Sequence, residues 1–297
     1  MKLYIAQLGL ATVMMFSACS TNTNAKQEHS ETANTLNEEK AESSSSTSSE
    51  ASPNTNRTIA DAKTVLAKKQ VPVLCYHQIR DWRETDSKTA RDYIIPVATF
   101  KAQIKMLKDS GYTAILPDQY YNYLAYGDQL PQKPVMITFD DTDLDQLEVG
   151  DKVLKQYGFK GAYFMMTVVI GKRGKVNYMS RDEIKQIANG GNAVGLHTYD
   201  HPNVKKITSE DEWNKQITKP KALLEEISGQ QVVDFAYPFG LWNKEAIKAL
   251  KARGLRSAYI LSTTRDEEDP LYTIRRIIAS GYWSSKTLHS NMVNSFK

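Results

Sequence analysis

From Val71 onward the sequence repeatedly sets a short apolar run beside a helical segment that closes on a glycine. That alternation restricts the fold more than any other feature. The runs VPVLCYH, TAILP, PVMITFD, GAYFMM, NAVGLH, VVDFAYP and SAYILS read as strands. Between them the spacing predicts helices over 100–108, over 118–126 with Asp118 as cap, and over 146–157. Further helices are predicted from Ser180 to Gly190, over 210–227, and from the cap Asn243 to Arg253. Ser180 and Glu183 have the spacing of a capping box, in which each side chain bonds the other's backbone N–H. Strand–helix alternation with short connections predicts an α/β fold with a mostly parallel sheet or barrel. Ligands of such folds bind at the carboxyl ends of the strands, where Asp140, Asp141, His197 and Pro238 all fall.

The chain before this region has a different character. Residues 3–16 are apolar, too short to span a bilayer and the right length for a signal-peptide core. They run into Phe16-Ser17-Ala18-Cys19, which resembles a bacterial lipobox with Cys19 as the lipidated residue. The organisation expected is therefore a lipoprotein signal over 1–19, a disordered tether over 20–57 and a folded domain over 58–297. The tether, typified by AESSSSTSSEASPNTN, carries too few large apolar residues to order itself. A short helix is predicted over 59–68, with the first strand near Val71. Lipidation of Cys19 leaves Cys75 as an unpaired buried thiol. A net charge of +4 without a basic run gives no footprint for nucleic acid. The expected location is the cell envelope, anchored by lipid to the cell membrane or an outer membrane.

The chemistry concentrates in two motifs. In PVMITFDD, Val135, Ile137 and Phe139 alternate with Met136 and Thr138, so a buried strand runs directly into Asp140 and Asp141. The pair either caps a following helix, a task Thr142 or Asp143 could also do, or holds a ligand. In HTYDH, His197 and His201 would project from one face of a helical turn ended by Pro202. Two imidazoles and one carboxylate leave coordination positions open, which marks a catalytic rather than a structural metal site.

TFDD, HTYDH and YPFG, in this order, resemble the signature motifs of the NodB-homology polysaccharide deacetylases. VPVLCYHQI, FKAQIKMLKDSGY and LPQKPVMITFDD are similar to the branch of poly-N-acetylglucosamine deacetylases, the PgaB/IcaB kind. The resemblance spans residues 71–278 and implies a distorted (β/α) barrel. It assigns Asp141, His197 and His201 as ligands of a divalent metal, with zinc expected, and Asp140 as catalytic base. The metal would keep the neighbouring carboxylate ionised and acidify water, and the backbone N–H of Phe239 would complete an oxyanion site. It places the general acid at His77; other branches use a late histidine, here His289, in a setting poorly matched by Ser284, Ser285 and Lys286. Arg276 rather than Arg275 would orient the base. Tyr237, Phe239, Trp242, Tyr282 and Trp283 are candidates to stack on sugar rings, whereas Tyr120, Tyr121, Tyr123 and Tyr126 read as one side of a packed helix.

Two positions depart from the family pattern. Thr142 stands where a glycine usually follows the Asp pair, and Ala236 where many members have arginine. The implied activity is hydrolysis of N-acetyl groups from an envelope or extracellular amino-sugar polymer, poly-β-1,6-N-acetylglucosamine by nearest resemblance. The alternatives are peptidoglycan deacetylation, an O-acetyl esterase on the same fold, and a glycan-binding lipoprotein without activity.

Overall fold

A computed structural model describes residues 57–261 and 264–296. The signal segment, Cys19 and almost all of the tether lie outside these residues. Helix α1 (Ala62–Ala67) is capped by Asp61, whose side chain accepts from the Thr64 N–H, and it leads to β1 (Val73–Tyr76). Short strands β2 (Gln78–Ile79) and β3 (Ile94–Ile95) pair with each other and flank α2 (Lys88–Tyr93). There follow α3 (Val97–Asp109), β4 (Thr113–Ala114), α4 (Pro117–Tyr126) and β5 (Pro134–Asp140). Next come α5 (Lys152–Gln156), β6 (Ala162–Met165), α6 (Arg181–Asn189) and β7 (Ala193–Leu196). Then α7 (Glu210–Trp213), α8 (Lys219–Ser228), β8 (Asp234–Ala236), α9 (Lys244–Ala252) and β9 (Ser257–Ile260) continue the alternation. Strands β10 (Ile274–Arg275) and β11 (Ile277–Ile278) and helix α10 (Ser285–Ser295) end it.

The main sheet runs β10-β9-β8-β7-β6-β5-β1-β11 with every pairing parallel, and β4 adds to the start of β5. Its two outer strands are one stretch of chain. Residues on one side of Arg276 pair with β9, those on the other pair with β1, and the Arg276 N–H donates to Ile260 O at 2.9 Å. This stretch closes the sheet into the expected (β/α) barrel.

Side-chain alternation sorts the core into two parts. Leu74, Ile137, Phe139, Tyr163, Leu196, Phe235 and Ile260 face the surrounding helices. Val73, Met136, Ala162, Phe164, Ala236, Tyr259 and Ile274 form the other cluster, which continues into Tyr120, Leu124 and Val65 of α4 and α1. The interior is thus packed, with those two helices as its floor. Following the inward parity toward the carboxyl ends gives Cys75 and His77, Thr138 and Asp140, Gly195 and His197, and Arg276. At Gly195 a Cβ would stand 2.5 Å from the Phe164 ring, so glycine is what lets that ring fill the interior.

Most expected elements form, with local differences. Ser180 and Glu183 make the capping box and Asn243 caps α9 through the Ala246 N–H. Asp118 does not cap; α4 begins one residue earlier at Pro117, whose fixed φ suits a first helical turn. The helix expected over 146–157 opens as a π-helical turn, Gln146–Asp151, and the one expected over 210–227 is interrupted by another, Asn214–Thr218. Tyr120 and Tyr121 are buried, as a packed helix face requires.

Candidate active site

The end of β5 delivers Asp140 into the barrel mouth, where it is 2% exposed. Arg276, equally buried, meets it with a two-pronged fork: Nη1 donates to Oδ1 at 2.7 Å and Nη2 to Oδ2 at 2.8 Å. Nη1 also reaches Thr138 Oγ1 at 3.2 Å. Burial pushes the Asp140 carboxyl up, but Arg276 and then His197 outweigh it and hold the group well below the usual carboxylate range. Paired fork geometry of this kind fixes orientation as well as charge.

Beyond Asp140 the chain turns sharply. Asp141 and Thr142 both have positive φ, 79° and 71°. The turn sets Asp141 Oδ1 at 3.5 Å from His197 Nε2 and 3.7 Å from His201 Nε2. His197 Nδ1–H donates to Ala236 O at 2.7 Å, which fixes the ring with Nε2 toward Asp141. The donor atoms of Asp141, His197 and His201 lie within 4.8 Å of one another. Asp141 Oδ1 is buried and has no hydrogen-bond partner among the described residues. Burial, then His197, lowers His201 to about 4, so it is a neutral imidazole. A carboxylate oxygen without a hydrogen-bond donor facing two imidazole nitrogens is the donor set a divalent cation requires.

These residues line a cleft of about 360 Å³ together with His77, Gln78, Ala90, Tyr93, Tyr237 and Phe239. His77 stands at the end of β1, its ring edge-on to Tyr93 with centroids 5.0 Å apart. Burial lowers its affinity for a proton, and Asp141 and Asp140 oppose that. Phe239, 58% exposed, sits edge-on to His201 with centroids 4.4 Å apart.

A family model described as polysaccharide deacetylase matches residues 127–258, which hold Asp140, Asp141, His197, His201 and the YPFG turn. Over that stretch the chain matches the polysaccharide deacetylase family. It is similar to YxkH of Bacillus subtilis, 26% identical over 94% of this chain and 94% of that one. It is also similar to the poly-beta-1,6-N-acetyl-D-glucosamine N-deacetylase of Staphylococcus epidermidis, 26% identical over 76% of this chain and 85% of that one. Among solved structures, IcaB from Ammonifex degensii superposes with a TM-score of 0.62 at 25% identity, covering 76% of this chain and 97% of that one.

The structure departs from several expectations. HTYDH is not a helical turn: Thr198 and His201 have φ of 70° and 61°, and this bent loop brings the imidazoles together. Neither Asp140 nor Asp141 caps a helix, and the π-turn that follows has no side-chain cap. Trp242 packs against the core outside the residues that line the cleft, as does Trp283. Tyr282 packs against Trp82 with its ring tilted, centroids 5.0 Å apart. Tyr237 does line the cleft, although it is only 1% exposed. His289 lies on α10 with Nε2 3.3 Å from the Tyr112 hydroxyl, away from the cleft. Arg275 points elsewhere too, reaching Gln70 at 3.4 Å with its guanidinium over Phe296.

The two departures from the family pattern acquire physical readings. Thr142 adopts the left-handed conformation a glycine would favour, and its hydroxyl is used on both sides. Oγ1 accepts from the Met166 N–H at 2.8 Å and donates to Met166 O at 3.1 Å, which ties the loop to β6. Ala236 is fully buried, and the guanidinium that meets the base comes from Arg276. No sequence pattern singles out Gln146, whose amide donates to the carbonyls of both Asp140 and His77. Tyr93 and Cys75, beside His77 and Asp140, were likewise not assigned to the site.

Proposed function

We propose that this protein hydrolyses N-acetyl groups on an amino-sugar polysaccharide, with a poly-β-1,6-N-acetylglucosamine chain as substrate and zinc as the metal. The observation that carries the reading is the side-by-side placement of two carboxylates with separate tasks. Asp140 is locked by Arg276, and Asp141 is left without a partner between two imidazoles. The names of the relatives, poly-beta-1,6-N-acetyl-D-glucosamine N-deacetylase and IcaB, support the substrate.

Asp141, His197 and His201 would hold the ion, which when bound supplies a Lewis-acid centre for the acetyl carbonyl and for water. Asp140, kept ionised by Arg276, takes the proton of the attacking water; a carboxylate with one face clamped still has lone pairs for that bond. The Phe239 backbone N–H, carried on the turn after Pro238, steadies the carbonyl oxygen as charge develops there. His77, at the adjacent strand end, delivers a proton to the departing amine. Tyr93 and Phe239 offer exposed aromatic faces on which a sugar ring can lie. Anchoring through lipidated Cys19, with the domain outside the cytoplasm, completes the proposal.

Acetate release from an acetylated β-1,6-glucosamine oligomer is the test, run with metal-stripped protein, zinc-restored protein and Asp140→Asn. Release that needs the metal and disappears in the variant is expected. Release only from O-acetylated glycans would overturn the N-deacetylase reading, and no release from any acetylated glycan would leave a binding protein. For the anchor, Cys19→Ala should move the protein from the membrane fraction to the soluble one; an unchanged membrane fraction sinks that part.

A further inference from the structure

Immediately beneath the proposed metal ligands lies a second cluster of donor atoms. Cys75 Sγ, the nearer ring nitrogen of His77 and a carboxylate oxygen of Asp140 all fall within 4.8 Å of one another. The thiol is fully buried, 3.5 Å from Asp140 Oδ2, to which it donates, and 4.0 Å from His77 Nδ1. It shares no ligand with the Asp141–His197–His201 set. We propose that Cys75, His77 and Asp140 form a second site, for zinc or another thiophilic divalent ion, and that filling it silences the enzyme.

The geometry is close to what such an ion needs. Tetrahedral zinc, with a thiolate at about 2.3 Å and nitrogen or oxygen at about 2.0–2.1 Å, spaces its ligand atoms about 3.5 Å apart. The thiol's gaps to Asp140 and His77 are 3.5 and 4.0 Å, and all three donors lie within 4.8 Å, so the ligands need to draw together only modestly around an ion. The donor types agree as well, because a thiolate and an imidazole select zinc and its soft neighbours over magnesium or calcium. His77 and Asp140 both line the cleft, so an ion reaches the cluster from solvent and keeps a fourth position open to water. On binding, the Cys75 S–H proton leaves to water as the S–metal bond forms. The Asp140 lone pair that accepted the S–H then goes to the ion, while the Arg276 fork stays in place.

Inhibition follows from which groups are consumed, and this part rests on the roles proposed above. Asp140 would lose basicity to the ion, and His77 would be held by Nδ1 and could no longer turn toward the leaving amine. The active form therefore carries one ion, and an excess of zinc turns it off.

The deciding experiment is titration of the metal-stripped full chain with cobalt(II), followed by absorption. The second equivalent should bring a thiolate-to-cobalt charge-transfer band in the near ultraviolet. In His201→Ala, which disables the first site, the band should arrive with the first equivalent. In Cys75→Ala and Cys75→Ser it should be absent and binding should stop at one equivalent. Saturation at one equivalent without the band in the unaltered protein overturns the proposal. Persistence of the band in both Cys75 variants overturns it too, since the thiolate would then be that of Cys19. In parallel, acetate release from the zinc-loaded protein should fall at least tenfold as the second equivalent fills, and neither Cys75 variant should show a fall relative to its own maximum. If no form releases acetate, the proposed activity fails while the absorption still reads the second site.

Discussion

At the scale of single residues, the pair Asp140–Arg276 is where charge and burial are most tightly balanced. A buried carboxylate deprived of its partner is an uncompensated charge, so Arg276→Met should cost about 3–5 kcal/mol of stability, measured by chemical denaturation. Adding Asp140→Asn should recover part of that loss, because the stranded charge is gone. Arg276→Lys should restore charge without the fork and leave kcat well below that of the parent. Asp140→Asn alone should lower kcat by about 10²–10⁴-fold, the span of general-base catalysis. Because the Asp140 pKa is depressed in the fold, the stability it brings is present above the unfolded carboxylate value of about 3.9 and is lost only as pH falls through the lower folded value. His201 gives a pH dependence of the same sign, in a higher window. Its pKa is lowered to about 4, so between about 6.5 and 4 the unfolded chain binds a proton that the folded one refuses. In metal-stripped protein the parent's Tm should therefore fall relative to His201→Gln as pH drops through that window; a constant difference would contradict the lowered pKa.

Within single elements, the loop after β5 holds two tendencies in opposition. Left-handed φ at a β-branched residue costs about 1–3 kcal/mol, while two hydroxyl bonds to Met166 return about 1 kcal/mol each. Thr142→Gly should thus change stability by less than about 1 kcal/mol and keep most activity. Thr142→Val retains the strain, strands the Met166 N–H and C=O, and should be the more destabilising of the two. Urea unfolding of both variants checks the order. At β7, Gly195→Ala should cost about 1–3 kcal/mol through overlap with the Phe164 ring, and Phe164→Leu should relieve it. This is also the scale at which the sequence was least informative. The strands, the capping box at Ser180 and the Asn243 cap were legible because they rest on local periodicity and local hydrogen bonds. The His197–His201 loop and the π-turn at Gln146 were not, since positive φ at Thr198 and His201 and the Gln146 bridge between two strand ends depend on contacts distant in sequence. The misplacement of Trp242 has the same origin: being near a motif in sequence says nothing about which side of a turn faces the cleft.

For the whole molecule, barrel closure and site assembly share one segment. The stretch from Ile274 to Ile278 is bonded on one side to β9 and on the other to β1, and the Ala279 N–H donates to Cys75 O at 2.9 Å. Its amides should exchange as slowly as those of β5, on the scale of global unfolding, although they lie near the end of the chain. Hydrogen exchange read by mass spectrometry decides this; rapid exchange at Arg276 and Ala279 would mean that the barrel opens along this seam. The parallel barrel and its ligand-bearing end were visible from alternation alone, whereas the identity of the seam was not, because Ile274 and Ile277 carry no mark of which neighbours they join.

That Arg276 sits in the seam has a consequence for how the molecule comes into being. Synthesis runs from the amino end, so a growing chain possesses Asp140, Asp141 and both imidazoles well before it possesses the guanidinium that orients Asp140. Until the stretch from Ile274 to Ile278 is made and laid between the first strand and the ninth, the base carboxylate has no fork to hold it. On the role proposed for Asp140, hydrolytic capacity should therefore appear only once Arg276 has been laid into place.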